Sequence, residues 1–465
     1  MMAIALAAPL HAHAAAPSTL YVPNSLDGTV TPIDTSANTA GSAISMGAAG
    51  PVAIAIAPGA STAYVAENGT LCFGTPGNGQ TDRIDTSSNT VGTPIATARC
   101  DNSVAASPDG STVYVTDFGT QTLIPIPTTT GVAGTPIAIG LNINGVFVSP
   151  DGTTAYVLCQ GPNEAVPVDL ATGIKGSPIA LPNLAFDMTF SPDGATGYIA
   201  TESGVVPIDT TTNTAQTAIA GTGNAISVAM APDGSTLYVG TDPGNSVIPV
   251  SLPSKTAGTP IAVSGPVASI AVLPDGTTVY AVCFLSNQVE VIDPLSNTVT
   301  KSINVGSQPQ YAALTTPARG VTTTTIHTGS VSSNVASTYT ATVSATSGGI
   351  PQGRVQFFVD GSAQGVPEFL DGSGHVSITT SLTAGPHTVT ADYTGTLVDA
   401  PSSGNLPLTV AGVPVPDTGA RAGTSNGPAM AAGLLLIPAG LACLMLSMLV
   451  PDIRPGGAGR RGLHL

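Results

Sequence analysis

Short apolar stretches separated by turn residues repeat along most of the chain. Seven tyrosines, each inside one such stretch, recur at intervals of 43, 50, 42, 42, 40 and 42 residues: Tyr21, Tyr64, Tyr114, Tyr156, Tyr198, Tyr238 and Tyr280. Five of them follow a Pro-Asp-Gly turn, as Tyr114 follows Pro108-Asp109-Gly110. Pro presets the first turn dihedral, Asp hydrogen-bonds the local backbone, and Gly tolerates the dihedrals that follow. Each turn is therefore predicted to reverse the chain between two strands.

The rest of each repeat predicts further strands. A second apolar run follows the Tyr and ends in a carboxylate, as in Ile33-Asp34-Thr35. A third run reads TPIAI or similar, as at 135–139, and a fourth leads into the next turn. Four short strands in ~40–45 residues is the size of one propeller blade. The seven repeats predict an all-β fold, with a seven-bladed β-propeller over residues 17–318.

The phase of the repeat predicts how the ring closes. The chain begins with a Tyr strand, the second of a blade, and residues 308–314 have the pattern of a first strand. Pairing the two would leave no open sheet edge. Leu20-Tyr21-Val22-Pro23-Asn24 and Val113-Tyr114-Val115-Thr116-Asp117 resemble the signature of the YVTN/YncE-type seven-bladed propellers. This resemblance implies a fold and leaves the activity open.

Residues 319–410 follow a different pattern. Thr, Ser and Val alternate over 338–343, which is typical of half-buried antiparallel strands, and about 90 such residues suit a β-sandwich. Residues 351–357 and 382–393 resemble the bacterial Ig-like repeat of surface proteins. Such modules most often act as stalks, and the resemblance implies a structural role for His387.

The first sixteen residues, MMAIALAAPLHAHAAA, are an apolar run followed by small residues. Ala12-His13-Ala14 fits a signal-peptidase site, so 1–16 is predicted to be a secretory signal peptide. The basic front part of such a peptide is missing, which leaves open that the segment is truncated. A disordered Ala-rich terminus is the alternative.

The other end predicts attachment to the cell envelope. Residues 429–450 are uncharged and long enough for the ~20 residues of a transmembrane helix, and the Arg-containing tail 451–465 should stay cytoplasmic. The linker 411–428 is rich in Pro, Gly and Ser and contains Val415-Pro416-Asp417-Thr418-Gly419. Pentapeptide, apolar span and basic tail together resemble the cell-wall sorting signal of Gram-positive bacteria, which implies cleavage by sortase after Thr418 and linkage to peptidoglycan. A plain C-terminal membrane helix and a buried core helix are the alternatives.

Charge and residue usage exclude several kinds of partner. The chain has 465 residues, of which 27 are acidic and 11 basic, for a net charge of −16. Nucleic-acid binding draws on clustered Lys and Arg, so no nucleic-acid partner is expected. Residues 17–318 contain no His, and the chain contains no Trp. Copper bound through His and a quinone stacked on Trp are therefore excluded, and we expect no cofactor and no metal.

Carboxylates are the remaining candidates for chemistry. The Asp residues of the Pro-Asp-Gly turns, and those that end the second apolar run, are expected to cap backbone amides. Five other acids follow the Tyr strands and should fall towards one face, as a possible ligand face: Glu67, Asp117, Glu164, Glu202 and Asp242. Solvated loop charge and a catalytic site are the alternatives.

The cysteines predict one disulfide. Cys72 and Cys100 fall in two loops of the second repeat that lie on the same face of a four-stranded blade. That repeat is also the longest and contains the insertion 74–80, so we expect a disulfide that holds the insertion. Cys159 and Cys283 occupy equivalent positions in distant blades and are expected to be buried free thiols. Cys443 lies in the predicted membrane span.

Three functions fit these observations. The first is a non-enzymatic surface protein that displays a propeller on an Ig-like stalk for binding or adhesion to an unknown extracellular partner. The second is an extracellular hydrolase of the lactonase-propeller type, which would need an acid/base cluster at the ring centre. The third is a structural component of the cell envelope. Convergent carboxylates with an Arg at the channel mouth would favour the enzyme, and a channel lined by Ala, Ser and Thr would exclude it.

Overall fold

A computed structural model describes residues 18–411, with gaps at 48–49, 69–78, 98–99, 141, 317–319, 347–349, 352, 394 and 396–398. The described chain is all-β. It forms strands β1 to β38 in chain order, and none of the described residues is helical. Within this part of the chain there is accordingly no helix with the length and apolarity that a bilayer crossing needs.

Seven antiparallel sheets, here called blades 1 to 7, follow one another along the chain, and in blades 2 to 7 the first four strands pair in sequence order. Blades 1 to 3 contain β1 (Thr19–Asn24), β2 (Thr29–Asp34), β3 (Thr39–Ala40) and β4 (Ile44–Ser45); β5 (Pro51–Ile56), β6 (Thr62–Glu67), β7 (Gln80–Asp85), β8 (Thr90–Val91) and β9 (Ile95–Ala96); and β10 (Asp101–Ala106), β11 (Thr112–Asp117), β12 (Thr122–Pro127) and β13 (Ile137–Ala138). Blades 4 and 5 contain β14 (Ile143–Val148), β15 (Thr154–Cys159), β16 (Glu164–Asp169) and β17 (Ile179–Ala180); and β18 (Ala185–Phe190), β19 (Thr196–Thr201), β20 (Gly204–Asp209) and β21 (Thr214–Ala215). Blades 6 and 7 contain β22 (Ala225–Met230), β23 (Thr236–Thr241), β24 (Ser246–Ser251), β25 (Thr256–Ala257) and β26 (Ile261–Ala262); and β27 (Val267–Val272), β28 (Val279–Cys283), β29 (Gln288–Asp293) and β30 (Thr298–Asn304).

Each blade packs against the next through a buried apolar cluster. The Tyr strands are covered on both faces, so a strand such as β11 is buried at five of its six positions. Blade 7 packs against blade 1, where Leu20 and Val22 meet Tyr280 and Val282. The sheets therefore form a closed ring. This is the arrangement of a β-propeller with seven blades, as the repeat predicts.

The ring closes as the sequence predicts. Strand β31 (Ala313–Leu314) pairs antiparallel with β1, and Leu20 lies opposite Leu314. The first blade is therefore built from both ends of the propeller segment, with its innermost strand supplied last. This closure covers the edge of β1 that would otherwise be unpaired.

Three of the repeated tyrosines also join neighbouring blades. The phenol of Tyr280 donates to Asn38 Oδ1 at 2.6 Å, and Tyr21 and Tyr156 make the equivalent bond to the Asn of the next blade. Asn38 has φ +52°, a left-handed conformation that Asn tolerates in tight turns. Burial raises the pKa of Tyr280 to about 12, with the carboxylates of Asp275 and Asp34 adding to the shift.

The remaining strands form two packed sheets. They are β32 (Thr322–Thr328), β33 (Ala336–Ala345), β34 (Arg354–Val359), β35 (Ser362–Phe369), β36 (His375–Ser381), β37 (Gly385–Tyr393) and β38 (Ser402–Val410). One sheet has the order β32-β33-β36 and the other β35-β34-β37-β38, and Tyr339, Val355 and Phe357 lie in the core between them. His387 Nδ1 lies 2.7 Å from Asp360 Oδ2, which ties β37 to the turn after β34. This contact agrees with the structural role expected for His387.

The predicted signal peptide (1–16), the sorting motif from Val415 to Gly419, the membrane span (429–450) and the tail (451–465) lie outside the described residues. Their assignments remain predictions.

Candidate functional site

The innermost strands of blades 2 to 7 have a bulge at the same place, and the residue after it lies at the inner edge of the ring. In β18, for example, the register shifts between Ala185 and Asp187. The equivalent residues of blades 2 to 7 are Ala53, Ser103, Gly145, Asp187, Ser227 and Ser269. In blade 1 the position belongs to Tyr311, because Ala313, two residues later, lies opposite Tyr21. These seven residues are called the inner ring below.

Short side chains of the inner ring connect neighbouring blades. Ser103 Oγ accepts the backbone amide of Val146, and Ser269 Oγ accepts that of Ala312, both at 3.3 Å. Ser227 Oγ donates to the Val267 carbonyl at 2.8 Å. These contacts leave the serine hydroxyls engaged with the backbone of the next blade.

Tyr311 is the one large member of the inner ring and crosses the centre of the propeller. Its hydroxyl donates to the Phe186 carbonyl at 3.1 Å. Phe186 belongs to blade 5, which is not a neighbour of blade 1 in a seven-membered ring. The half-buried Tyr311 side chain therefore reaches across the channel at this level.

Asp187 is the one charged member of the inner ring and is also held by backbone groups. Its two carboxylate oxygens accept the amides of Met188 at 2.8 Å and Val228 at 2.9 Å. The side chain is 8% exposed, and burial raises its pKa to about 7 against the opposing effect of these amides. Burial raises the pKa of the Tyr311 phenol, and the negative charge of the Asp187 carboxylate raises it further. The arrangement fits a structural anchor beside Tyr311.

A second group of acids lies buried in blade 2. Glu67 and Asp82 are 1% and 2% exposed and hydrogen-bond to each other, with Gln80 Nε2 donating to Glu67 Oε2 at 2.8 Å. Burial, together with the nearby Asp82, raises the pKa of Glu67 to about 8. Burial also raises the pKa of Asp82, so the pair favours holding a proton.

Asp101, the first residue of β10, lies against the opposite face of blade 2. Its Oδ2 accepts the hydroxyls of Thr81 at 2.9 Å and Thr97 at 2.6 Å. Burial raises its pKa to about 7, opposed by these hydroxyls and assisted by Asp117. Among the described residues, no three His, Cys, Asp or Glu side chains are grouped so that they could hold a metal ion. Burial thus favours the protonated form of Asp101.

The structure separates the acids of the predicted ligand face. Glu67 and Asp117 are buried, and Asp117 Oδ1 caps the amides of Gly119 and Thr120. Glu202 is exposed, and Glu164 and Asp242 are half-buried. Only these three reach the surface, because the last residue of each Tyr strand faces the neighbouring blade. A ligand on this face remains a prediction.

The Asp residues assigned to turns have the expected role. Asp34 Oδ1 accepts the amides of Ser36 and Ala37, and Asp109 Oδ1 accepts that of Ser111. These hydrogen bonds lower the pKa of Asp34, with the Ser36 hydroxyl as the largest cause. These carboxylates therefore stay ionised and are committed to backbone capping.

The cysteines agree with the prediction as far as the structure describes them. Cys159 and Cys283 are buried free thiols. Burial raises the pKa of Cys159 to about 11, so this thiol is a poor nucleophile. Cys100 is buried and disulfide-bonded, and its predicted partner Cys72 lies outside the described residues.

Sequence reasoning missed Tyr311, Asp187 and the pairing of Asp82 with Glu67. The repeat carried a usable signal for the first two: aligned by the spacing of the repeat, the innermost strands place Tyr311 and Asp187 among Ala, Ser and Gly. The contact between Glu67 and Asp82 had no such signal, because no other Tyr strand ends in Glu.

Comparison with known families matches residues 321–411 to the bacterial Ig-like domain (group 3). This match agrees with the second domain predicted from the motifs around residues 351–357 and 382–393. No curated protein matches the chain.

Among solved structures, the chain is similar to a functionally unknown protein from Desulfotomaculum acetoxidans (17% identity, 64% of this chain and 99% of that one, TM-score 0.56). It is also similar to the periplasmic gluconolactonase of Pseudomonas aeruginosa (18%, 64% and 99%, TM-score 0.54). A third similar structure is the hydrazine synthase of Kuenenia stuttgartiensis (20%, 59% and 92%, TM-score 0.53). At these identities the likeness shows the fold alone.

Proposed function

We propose that this protein is a non-enzymatic surface protein that presents a rigid propeller on an Ig-like stalk for binding at the cell envelope. The observation that carries the proposal is the inner ring. A catalytic propeller of the lactonase type would need convergent acid/base groups open to the channel. Here Tyr311 reaches across the channel to Phe186, and both oxygens of Asp187 accept backbone amides. In this proposal, the loops on the surface of the ring carry the binding function.

The chain order supports the proposed attachment to the envelope. The propeller precedes an Ig-like domain, which precedes the sorting-like motif and the apolar span. In this proposal the signal peptide exports the chain, sortase cleaves after Thr418, and peptidoglycan receives the new carboxyl end. The Ig-like domain then acts as the spacer between wall and propeller.

A hydrolase is the second candidate, because carboxyl groups with a pKa near neutrality can transfer protons. Glu67 and Asp101 have such values, but they are 1% and 0% exposed. A substrate would have to displace the packed side chains between blades 2 and 3 to reach Asp101 and those around Glu67 to reach its carboxylate. Burial without access therefore supports the non-enzymatic function.

The test is an assay of the purified full chain with glucono-1,5-lactone and a set of longer lactones in a pH-stat. We expect the uncatalysed rate for every lactone. Turnover that Asp101→Asn or Glu67→Gln abolishes, while Tyr238→Phe keeps it, would establish the hydrolase instead. In parallel, an antibody against the propeller should label intact cells, and labelling only after cell lysis would contradict surface display.

A further inference from the structure

The segment that closes the ring, residues 307–316, is here called the closing strap. It pairs with β1 through two register pairs and a single bridge between Asn24 and Pro309. The innermost strands of blades 2 to 7 each have five register pairs with their neighbour. The closing strap is therefore the innermost strand with the fewest register pairs to its own blade.

Hydrogen bonds outside the register pairs also hold the closing strap in place. The Gln310 amide donates to the Pro23 carbonyl at 2.8 Å and the Thr315 amide to the Thr19 carbonyl at 2.9 Å. The Ser25 and Leu26 amides of blade 1 donate to the Gln308 and Ser307 carbonyls at 3.1 and 3.3 Å. The Gly59 amide of blade 2 donates to the Thr316 carbonyl at 2.9 Å. Lifting the strap from its Thr316 end would load these bonds in turn.

The closing strap also carries the side chain that reaches across the channel. Tyr311 lies in its middle, and the phenol reaches blade 5 through the bond to Phe186. The strap cannot leave blade 1 without withdrawing this side chain. Closure of the ring and closure of the channel are thus one structural event.

The strap lies next to the stalk in the chain. It ends at Thr316, and Gly320 already pairs with Asp399 of the Ig-like domain. Only three residues separate the two, so a pull on the Ig-like domain reaches the strap with little slack. In a protein anchored beyond residue 411, a load on the propeller passes through this link.

We propose that the closing strap is a tension-sensitive latch: force along the stalk peels residues 307–316 from blade 1 and withdraws Tyr311, which opens the ring and its channel together. This inference rests on the proposed function for its biological setting, since only an anchored, surface-displayed chain would carry such a load. The mechanical property itself belongs to the purified molecule.

The test is single-molecule stretching of the full chain. One handle is attached at the C-terminus and the other at Ser203→Cys, an exposed site in the turn between β19 and β20 of blade 5, in a Cys443→Ser background. Releasing the ten residues of the strap should lengthen the chain by about 33–36 Å as the first event. A first event of roughly 140 Å or more, the length of a blade or of the Ig-like domain, would overturn the proposal.

Two variants sharpen the result. Tyr311→Phe removes the bond to Phe186 and should shorten the lifetime of the closed state at fixed force about fivefold, the effect of one ordinary hydrogen bond. Tyr238→Phe, at a Tyr with no hydroxyl partner among the described residues, is the matched control and should leave it unchanged. Equal lifetimes in Tyr311→Phe and wild type would contradict the role of Tyr311.

An engineered disulfide between the strap and β1 gives an independent test of the latch. Thr19→Cys with Thr315→Cys joins the strap to β1 where their backbones already hydrogen-bond. When oxidised, this variant should lose the short first event and regain it on reduction. A short event that persists under oxidation would overturn the proposal. Because these measurements use purified protein, their failure would leave surface display to be judged by cell labelling.

Discussion

Replacing Asp187 by the residue that blades 3, 6 and 7 use at the same place should change how propeller stability depends on pH. Ser103 and Ser269 accept an amide of the next blade at the position where Asp187 accepts Val228. Asp187→Ser therefore keeps one acceptor, removes the titrating group and introduces no side chain that is foreign to the inner ring. The substitution also removes the hydrogen bond that the Met188 amide donates to Asp187.

The magnitude follows from the pKa of Asp187, which burial raises from 3.8 to about 7. A group with a raised folded pKa stabilises fully below its unfolded pKa, and this contribution is lost as pH rises through the folded value. Three pK units at 1.36 kcal/mol each correspond to roughly 4 kcal/mol lost by the wild type between pH 4 and pH 8. The lost amide bond costs about 1 kcal/mol at every pH. Asp187→Ser should thus be about 1 kcal/mol less stable at pH 4 and roughly 3 kcal/mol more stable at pH 8.5.

Denaturant unfolding of the two proteins at pH 4, 6 and 8.5 measures this difference. Ser269→Ala is the control, because it removes an amide acceptor from the same ring without removing a charge, and its loss of about 1 kcal/mol should be equal at each pH. If Asp187→Ser is destabilised to the same extent at pH 4 and pH 8.5, Asp187 does not hold a proton in the folded ring and the reasoning is refuted.

Four further changes have defined outcomes. Glu67→Gln removes the raised pKa of the buried pair, so stability should fall less steeply between pH 5 and pH 9 than in the wild type; an unchanged slope in urea titrations would contradict the shared proton. Tyr280→Phe should lower unfolding free energy by about 1 kcal/mol through the lost bond to Asn38, whereas Tyr238→Phe should have almost no effect by the same assay. Asp360→Asn should lower the pKa of His387, which the Asp360 side chain raises, and NMR titration of the imidazole would show no shift if the pair were absent. Cys72→Ser should cost roughly 3 kcal/mol if Cys72 is the partner of Cys100, and peptide mapping without reduction should find the two joined.

The architecture was predictable because short local motifs specify the strands and turns and recur in successive repeats. Pro-Asp-Gly turns, the Tyr strand and the carboxylate that ends the next strand act over a few residues each. Even the long-range pairing of β31 with β1 followed from the phase of the repeat. The Ig-like domain was recognised from alternation and from its motifs.

The inner ring was less accessible from sequence. The Tyr311 side chain is long enough to reach Phe186, but only the geometry of the ring shows that Phe186 lies opposite it. The buried state of Glu67 and Asp117 was missed because acids after a strand are usually solvated in loops, whereas the last residue of these Tyr strands faces a neighbouring blade. Burial of that kind depends on blade packing, which single-sequence patterns do not encode.

Fractionation of the native cells tests surface display on the wall most directly. After boiling in detergent, the protein should remain in the wall pellet and be released by a muramidase, with Thr418 as its last residue joined to a peptidoglycan fragment. Extraction by detergent alone, with residues 419–465 still present, would contradict wall anchoring and leave a membrane-tethered propeller.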